Sequence, residues 1–194
     1  DPYRAYQGGN YSPHFQAYNR NKRSLALDMK AAGDRGVFDT LIREADVFIQ
    51  NFRPGTADRL GAGAKRLQEL NPKLVYCSIS GFGGNGPYVD RPSYDSVAQA
   101  LSGFLSVVVD PDRPRFLGPA LADAITGIYA SYGILGALFD RSRTGKGRLV
   151  EVSMLEAMTH FNLDSFTHFY QVNEVMNPLS RPSVSQSYIF ECSD

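Results

Sequence analysis

Apolar positions along this chain follow two alternating rhythms. Residues 1–18 are polar, aromatic and punctuated by Gly and Pro, which predicts a surface segment without regular structure that wraps something. Leu25, Leu27 and Met29 then alternate with polar neighbours and predict a short strand over 24–29. A helix over 36–44 follows, with Val37, Leu41 and Ile42 on one face. The rhythm repeats as a strand over 45–50, one or two short helices over 56–70 broken near Gly61 and Gly63, and a strand over 74–80. Strands that alternate with helices predict an α/β domain built on a parallel sheet.

Beyond Ser80 the pattern predicts a glycine loop, a helix over 94–102, a β-like run over 104–109 and a proline-rich turn through Pro111 and Pro114. A long helix of small residues over 121–139 comes next and is expected to stop at the basic, glycine-punctuated 140–147. A strand over 149–152, a helix over 154–170 and a last strand over 187–192 complete the pattern, and no internal repeat is visible.

Composition adds bounds. The 194 residues, 43% hydrophobic and 21% charged, suit one ordinary globular domain. Lys and Arg total 20 against 20 for Asp and Glu, so no overall field draws the chain to nucleic acid or to an anionic membrane. Anion binding must come from local clusters. Cys77 and Cys192 lie far apart with no metal-ligand spacing, which implies a reducing, cytoplasmic setting. No apolar stretch is expected to reach the length of a membrane span. The first residues carry neither a signal sequence nor an initiator Met, so the chain reads as an internal piece.

The candidate chemistry centres on Asp123, a lone carboxylate in the first turn of the long small-residue helix. Facing a cleft, it could serve as a nucleophile or proton acceptor; the spacing alone favours the plainer role of helix cap. In open α/β sheets ligands sit beyond the carboxyl ends of the strands, which directs attention to the loops after Gln50 and Ser80. The first offers an amide, an aromatic face and a cation in Asn51, Phe52 and Arg53 ahead of Pro54. The second, 81–86 (GFGGNG), formally matches a dinucleotide fingerprint, but Pro87 and Pro92 bracket more loop where a helix would have to open. Nicotinamide and flavin are therefore not expected, and the loop reads as a mobile flap. His160, Asp164 and His168 would share one face of a single helix, yet without a further ligand this spacing reads as a polar stripe, and no metal is expected.

Together the segments 19–28 (NRNKRSLALD), 45–55 (ADVFIQNFRPG), 71–83 (NPKLVYCSISGFG) and 91–95 (RPSYD), with Asp123, 144–147 (TGKG) and 150–154 (VEVSM), resemble the family III coenzyme A transferases. That resemblance implies a Rossmann-like open parallel sheet, the family's large domain, in an interlocked homodimer. It also implies that this chain holds only part of that domain. Family members carry a strand and helix ahead of Asp1, and beyond Asp194 a small second domain with another glycine-rich loop.

By the same resemblance Asp123 aligns with the catalytic aspartate that attacks an acyl-CoA thioester and passes through covalent anhydride and thioester intermediates. Lys22, Asn51, Phe52 and Arg59 would contact coenzyme A, and Tyr94 and Asp95 would line the acyl site. Capping thus yields to nucleophilic attack as the expectation. Pro92 stands where some members have a lysine, which removes one coenzyme contact. The related racemases place a histidine base where this chain has Tyr94, and a phenol is a poor base at neutral pH. The expected activity is transfer of coenzyme A between an acyl-CoA and a carboxylic acid. An acyl-CoA racemase, or an inactive CoA-binding fragment, is the alternative.

Overall fold

The computed structural model describes Arg4 and residues 12–110, 112–115 and 118–173. The chain divides into two compact units, residues 1–36 and 37–194. In the first, α1 (Pro13–Tyr18) starts at Ser12, whose Oγ accepts the Phe15 amide at 3.1 Å, with Pro13 at the position where a missing N–H costs nothing. This helix was not expected within the polar leader. Residues 24–29 form no strand: the alternation is present, but among the described residues no neighbouring strand offers a ladder, and Leu25 stays 60% exposed. Period-two patterning specifies a strand only where one face is buried.

The boundary between the units falls inside α2 (Ala32–Glu44). The second unit then runs β1 (Val47–Gln50), α3 (Thr56–Arg59), α4 (Ala64–Leu70), β2 (Val75–Ser80), α5 (Asp95–Leu101), α6 (Phe104–Val108), α7 (Leu121–Thr144), β3 (Leu149–Ser153), α8 (Met154–Phe161) and α9 (Leu163–Val172). Among the described residues the three strands form one parallel sheet in the order β1-β2-β3, with Phe48 beside Tyr76 and Cys77 beside Val150. The α/β parallel architecture expected from the sequence is the one observed.

Helices lie on both faces of the sheet, although β1 leaves Ile49 exposed. On one, Ile42, Leu67, Leu74 and Tyr76 pack together with Phe38 and Phe48, and the Tyr76 hydroxyl donates to the Ala62 carbonyl at 2.9 Å. Burial pushes the Tyr76 phenol above its ordinary range, so it stays a neutral donor. On the other, α7 lies so close that a methyl group at Gly133 would stand 2.7 Å from Val150 Cγ1. Ala98, Ala122, Ile125, Ala157 and Met158 join α5, α7 and α8 in a second cluster. Leu67 is fully buried, and Leu67→Ala is expected to destabilise the protein by about 2–5 kcal/mol, read as a lower urea midpoint at an unchanged slope.

Several expected boundaries move. The β-like run at 104–109 is helix α6, because Gly103 turns the chain at φ 75° and Phe104 packs onto the cluster of α5, α7 and α8. Tertiary packing here overrides the β-preference of Val107 and Val108. The long helix runs on to Thr144 and ends at Gly145 (φ 72°), whose amide bonds the Arg141 carbonyl. By length and composition α7 is also long and apolar enough to cross a membrane, with a mean hydropathy of 1.3, contrary to expectation. Its packing on the sheet makes it a layer of the domain. The helix expected over 154–170 breaks at Asn162, so His160 lies on α8 while Asp164 and His168 lie on α9, and the three do not share a helix. His160 Nδ1 instead meets the Tyr129 hydroxyl. The strand expected over 187–192 lies outside the described residues.

Candidate active site

The N-terminus of α7 has no cap of its own: Ala120 precedes it and offers no side-chain acceptor. The exposed amides at a helix start need a partner, and here it comes from another helix. Asp95, the first residue of α5, lays Oδ1 against the Ala122 amide (2.7 Å) and the Asp123 amide (3.2 Å), while its Oδ2 accepts from Gln99 Nε2 (2.6 Å). The residue expected to line the acyl site is therefore engaged in holding the helix. Asp123, whose spacing suggested a cap, is relieved of that task.

The Asp123 carboxylate accordingly has no hydrogen-bond or ion-pair partner among the described residues. The residue keeps an open surface, yet its carboxyl pKa is raised, first by desolvation and second by the nearby Asp95 charge. An open, incompletely solvated and unpaired carboxylate on a fixed backbone has the features of a nucleophile. Tyr94 is the N-cap residue of α5, with its carbonyl accepting from the Val97 and Ala98 amides, and the residue is 75% exposed. Asp95, Asp123 and Tyr94 thus meet where α5 and α7 begin.

A cleft of about 270 Å³ opens at the carboxyl ends of the strands. Gln50 closes β1 there, Ser78 and Ser80 lie along β2, and Glu151 comes from β3. Phe52, Arg53 and Lys65 also line it, adding an aromatic surface and two cations. Gln50 shapes this wall: its Nε2 donates to Ser78 Oγ at 2.8 Å and its Oε1 accepts the Phe52 amide at 2.7 Å. Glu151 lines the cleft from the middle of β3, a position that a rule directed at the loops after strand ends does not reach.

Two other expected coenzyme contacts lie outside the cleft. Asn51 is exposed in the turn after β1, and Arg59 ends α3 with Nη2 donating to Thr56 Oγ1 at 2.7 Å; neither lines the cleft. Lys22 belongs to the first unit, where its Nζ bonds the Tyr18 carbonyl (2.6 Å) and Asn19 Oδ1 (3.4 Å).

Ser80 also begins the glycine loop that leads to Tyr94. Expected to be a free flap, the loop is tied down through its first residues: the Leu155 amide bonds the Gly81 carbonyl at 3.1 Å, and the Gly83 amide bonds Ser80 Oγ at 2.9 Å. A methyl at Gly81 would stand only 2.2 Å from Ser93 Cβ. Glycine is needed there for close approach. Phe82 meets Tyr88 edge-on at 5.5 Å, and the Arg91 guanidinium lies 4.2 Å over the Tyr88 ring. No helix opens among these glycines, and the next begins at Asp95.

A parallel α/β unit with a strand-end cleft and an unpaired carboxylate at a helix start is the frame to which known proteins compare. The profile of CoA-transferase family III matches residues 1–194, and the chain belongs to that family. It is 43% identical over 155 residues to the acetyl-CoA:oxalate CoA-transferase of Acetobacter aceti, a match covering 79% of this chain and 40% of that protein. It is 40% identical over 147 residues to the succinate–glutarate CoA-transferase of Agrobacterium fabrum, covering 75% and 37%. The crystal structure of a CAIB/BAIF family protein from Brucella suis superposes with a TM-score of 0.83 at 35% identity, covering 88% of this chain and 46% of that one. The chain spans about two fifths of the length of the curated relatives it matches.

Proposed function

We propose that this chain bears the nucleophile and part of the coenzyme site of an acyl-CoA:carboxylate CoA-transferase. The observation that carries this reading is the Asp123 carboxylate, left without a partner among the described residues while Asp95 caps its helix. In the proposed cycle an Asp123 oxygen bonds to the thioester carbonyl carbon and the C–S bond breaks, leaving a mixed anhydride and coenzyme A thiolate. The thiolate attacks the aspartyl carbonyl, expels the donor acid as its carboxylate and forms an aspartyl thioester. The acceptor carboxylate displaces the thiolate to give a second anhydride, and attack of the thiolate on the acceptor's carbonyl releases the new acyl-CoA and restores Asp123. No proton is gained or lost over the cycle, so a site without a general base suffices.

Coenzyme A enters this reading as substrate. The strand-end cleft, with Arg53 and Lys65 for phosphate oxygens and Phe52 for an adenine face, supports its placement there, with Asn51, Arg59 and Lys22 as the remaining proposed contacts. An interlocked homodimer belongs to the same proposal. Ile128, Tyr132, Leu135 and Phe139 form an exposed apolar stripe along α7 that supports a partner surface. The free, buried Cys77 thiol fits the cytoplasmic setting proposed with it.

The test is chemical trapping in the full-length gene product. Incubation with acetyl-, oxalyl- or succinyl-CoA followed by hydroxylamine is expected to place a hydroxamate on Asp123, mapped by mass spectrometry. Modification of a different residue, or of none with any donor, overturns the assignment. Uptake of deuterium at the α-carbon of a chiral 2-methylacyl-CoA without an acceptor acid would establish the racemase instead.

A further inference from the structure

Gln99 is 1% exposed, beside Ala98 of the apolar cluster that joins α5, α7 and α8. A primary amide in such a place costs stability unless it is hydrogen-bonded, and its partner is specific. One turn back on α5, Asp95 Oδ2 receives the Gln99 Nε2 proton at 2.6 Å, a charge-assisted contact that a carboxylate would not make with the amide oxygen. The other Asp95 oxygen is the one that holds the Ala122 and Asp123 amides. With one oxygen held from below and the other turned toward α7, the carboxylate has a single orientation.

We infer that Gln99 is a positioning residue for the reaction, orienting the Asp95 carboxylate so that the Asp123 backbone, and with it the nucleophile, stays in one place. This rests on the proposed role of Asp123. Without its donor Asp95 can turn about its terminal bond, the cap on α7 loosens, and Asp123 samples positions from which it does not reach the carbonyl. Small misplacements of a reacting group are costly in rate while leaving distant binding contacts intact.

The expected result in the full-length enzyme is that Gln99→Met, which matches the side chain in length but cannot donate, lowers kcat about tenfold and leaves KM for acyl-CoA within about twofold. Gln99→Glu, of nearly the same shape, is expected to lose at least as much at neutral pH. Asp95→Asn should also lower kcat. Adding Gln99→Met to Asp95→Asn should lower it no further, because both changes break one linkage. Unchanged kcat in the Gln99 variants, or losses that multiply in the double variant, overturns the proposal, since a mere packing role would act independently of Asp95. Selective ¹⁵N labelling of glutamine gives a reading on the unaltered protein: the Gln99 side-chain amide protons should exchange slowly with solvent. An amide that behaves as if solvated overturns the proposal even if neither variant folds. Asp123 trapping in the parent keeps the two ideas separable: an adduct with unaffected Gln99 variants defeats only the positioning role, while no adduct defeats the nucleophile assignment.

Discussion

Asp123→Asn is expected to lower coenzyme A transfer by about a thousandfold or more, with no hydroxylamine-trappable adduct at residue 123. The carboxamide has nearly the same size and leaves the Asp95 contacts to the α7 amides in place, so the loss would report chemistry, with the fold intact. A second expectation with a definite sign follows from the raised carboxyl pKa. A folded-state pKa above the unfolded one means that folding favours the protonated acid. The associated stability is fully present below the unfolded pKa and is lost as pH rises through the folded one. At neutral pH the ionised carboxylate therefore burdens the fold, and Asp123→Asn removes that burden. Its Tm should exceed the parent's at pH 7, and the difference should fade in acid. Undiminished turnover would end the nucleophile assignment. A lower Tm at pH 7 would show that the carboxylate supports its own helix after all.

The largest effect on stability is expected at Gly147. A methyl group there would stand 2.0 Å from the Leu74 carbonyl oxygen and 2.5 Å from its carbon, and backbone at the start of β2 has nowhere to move. The Gly147 amide also bonds the Pro72 carbonyl at 2.8 Å, and the next carbonyl, of Arg148, accepts the Tyr76 amide at 2.9 Å, so this contact sets the register of β3 on β2. Gly147→Ala is expected to cost more than about 4 kcal/mol or to leave the protein insoluble. Two neighbouring glycines calibrate the claim. Gly145→Ala meets no atom within 4 Å but must adopt φ 72°, so it should cost only about 1 kcal/mol, while Gly136→Ala, inside α7 with open space around it, should stabilise by about 0.5–1 kcal/mol. Thermal unfolding of the three variants in parallel checks the order; a Gly147→Ala protein as stable as Gly145→Ala would refute the steric argument.

The alternating layout was legible because the short apolar runs at 47–50 and 75–80 are bounded by turn residues, and the first half of the second is buried. Its failures have a common origin in contacts between distant parts. Residues 104–108 carry strand-like composition, yet Phe104 is drawn into a cluster of helices; residues 24–29 carry strand-like alternation that pairs with no strand among the described residues. At the site, the residue type and place of Asp123 were readable, and so were the loops at two strand ends. The duty of Asp95 was not, because the amides it serves lie 27 and 28 residues away in the chain. The wall formed by Gln50 and Ser78 spans 28 residues and was equally hidden. Resemblance to a family assigned Asp123 as the nucleophile and Asp95 to the acyl site, without revealing that Asp95 holds the amides at the start of α7.

Helix α7 is anchored at both extremities. Asp95 grips its first turn, and near its far end the Arg141 guanidinium reaches the Asp46 carbonyl (3.2 Å), the Lys73 carbonyl (3.1 Å) and the Asp46 carboxylate (2.8 Å), at the entry to β1 and β2. The helix thereby behaves as a beam on two supports, and on the proposed transferase reading the carboxylate mounted on it would not travel to meet acids of different size. On that reading, adaptation to a new acid comes from exchanging side chains in the surrounding loops, and redesign for altered substrate preference should vary those loops and leave the beam untouched.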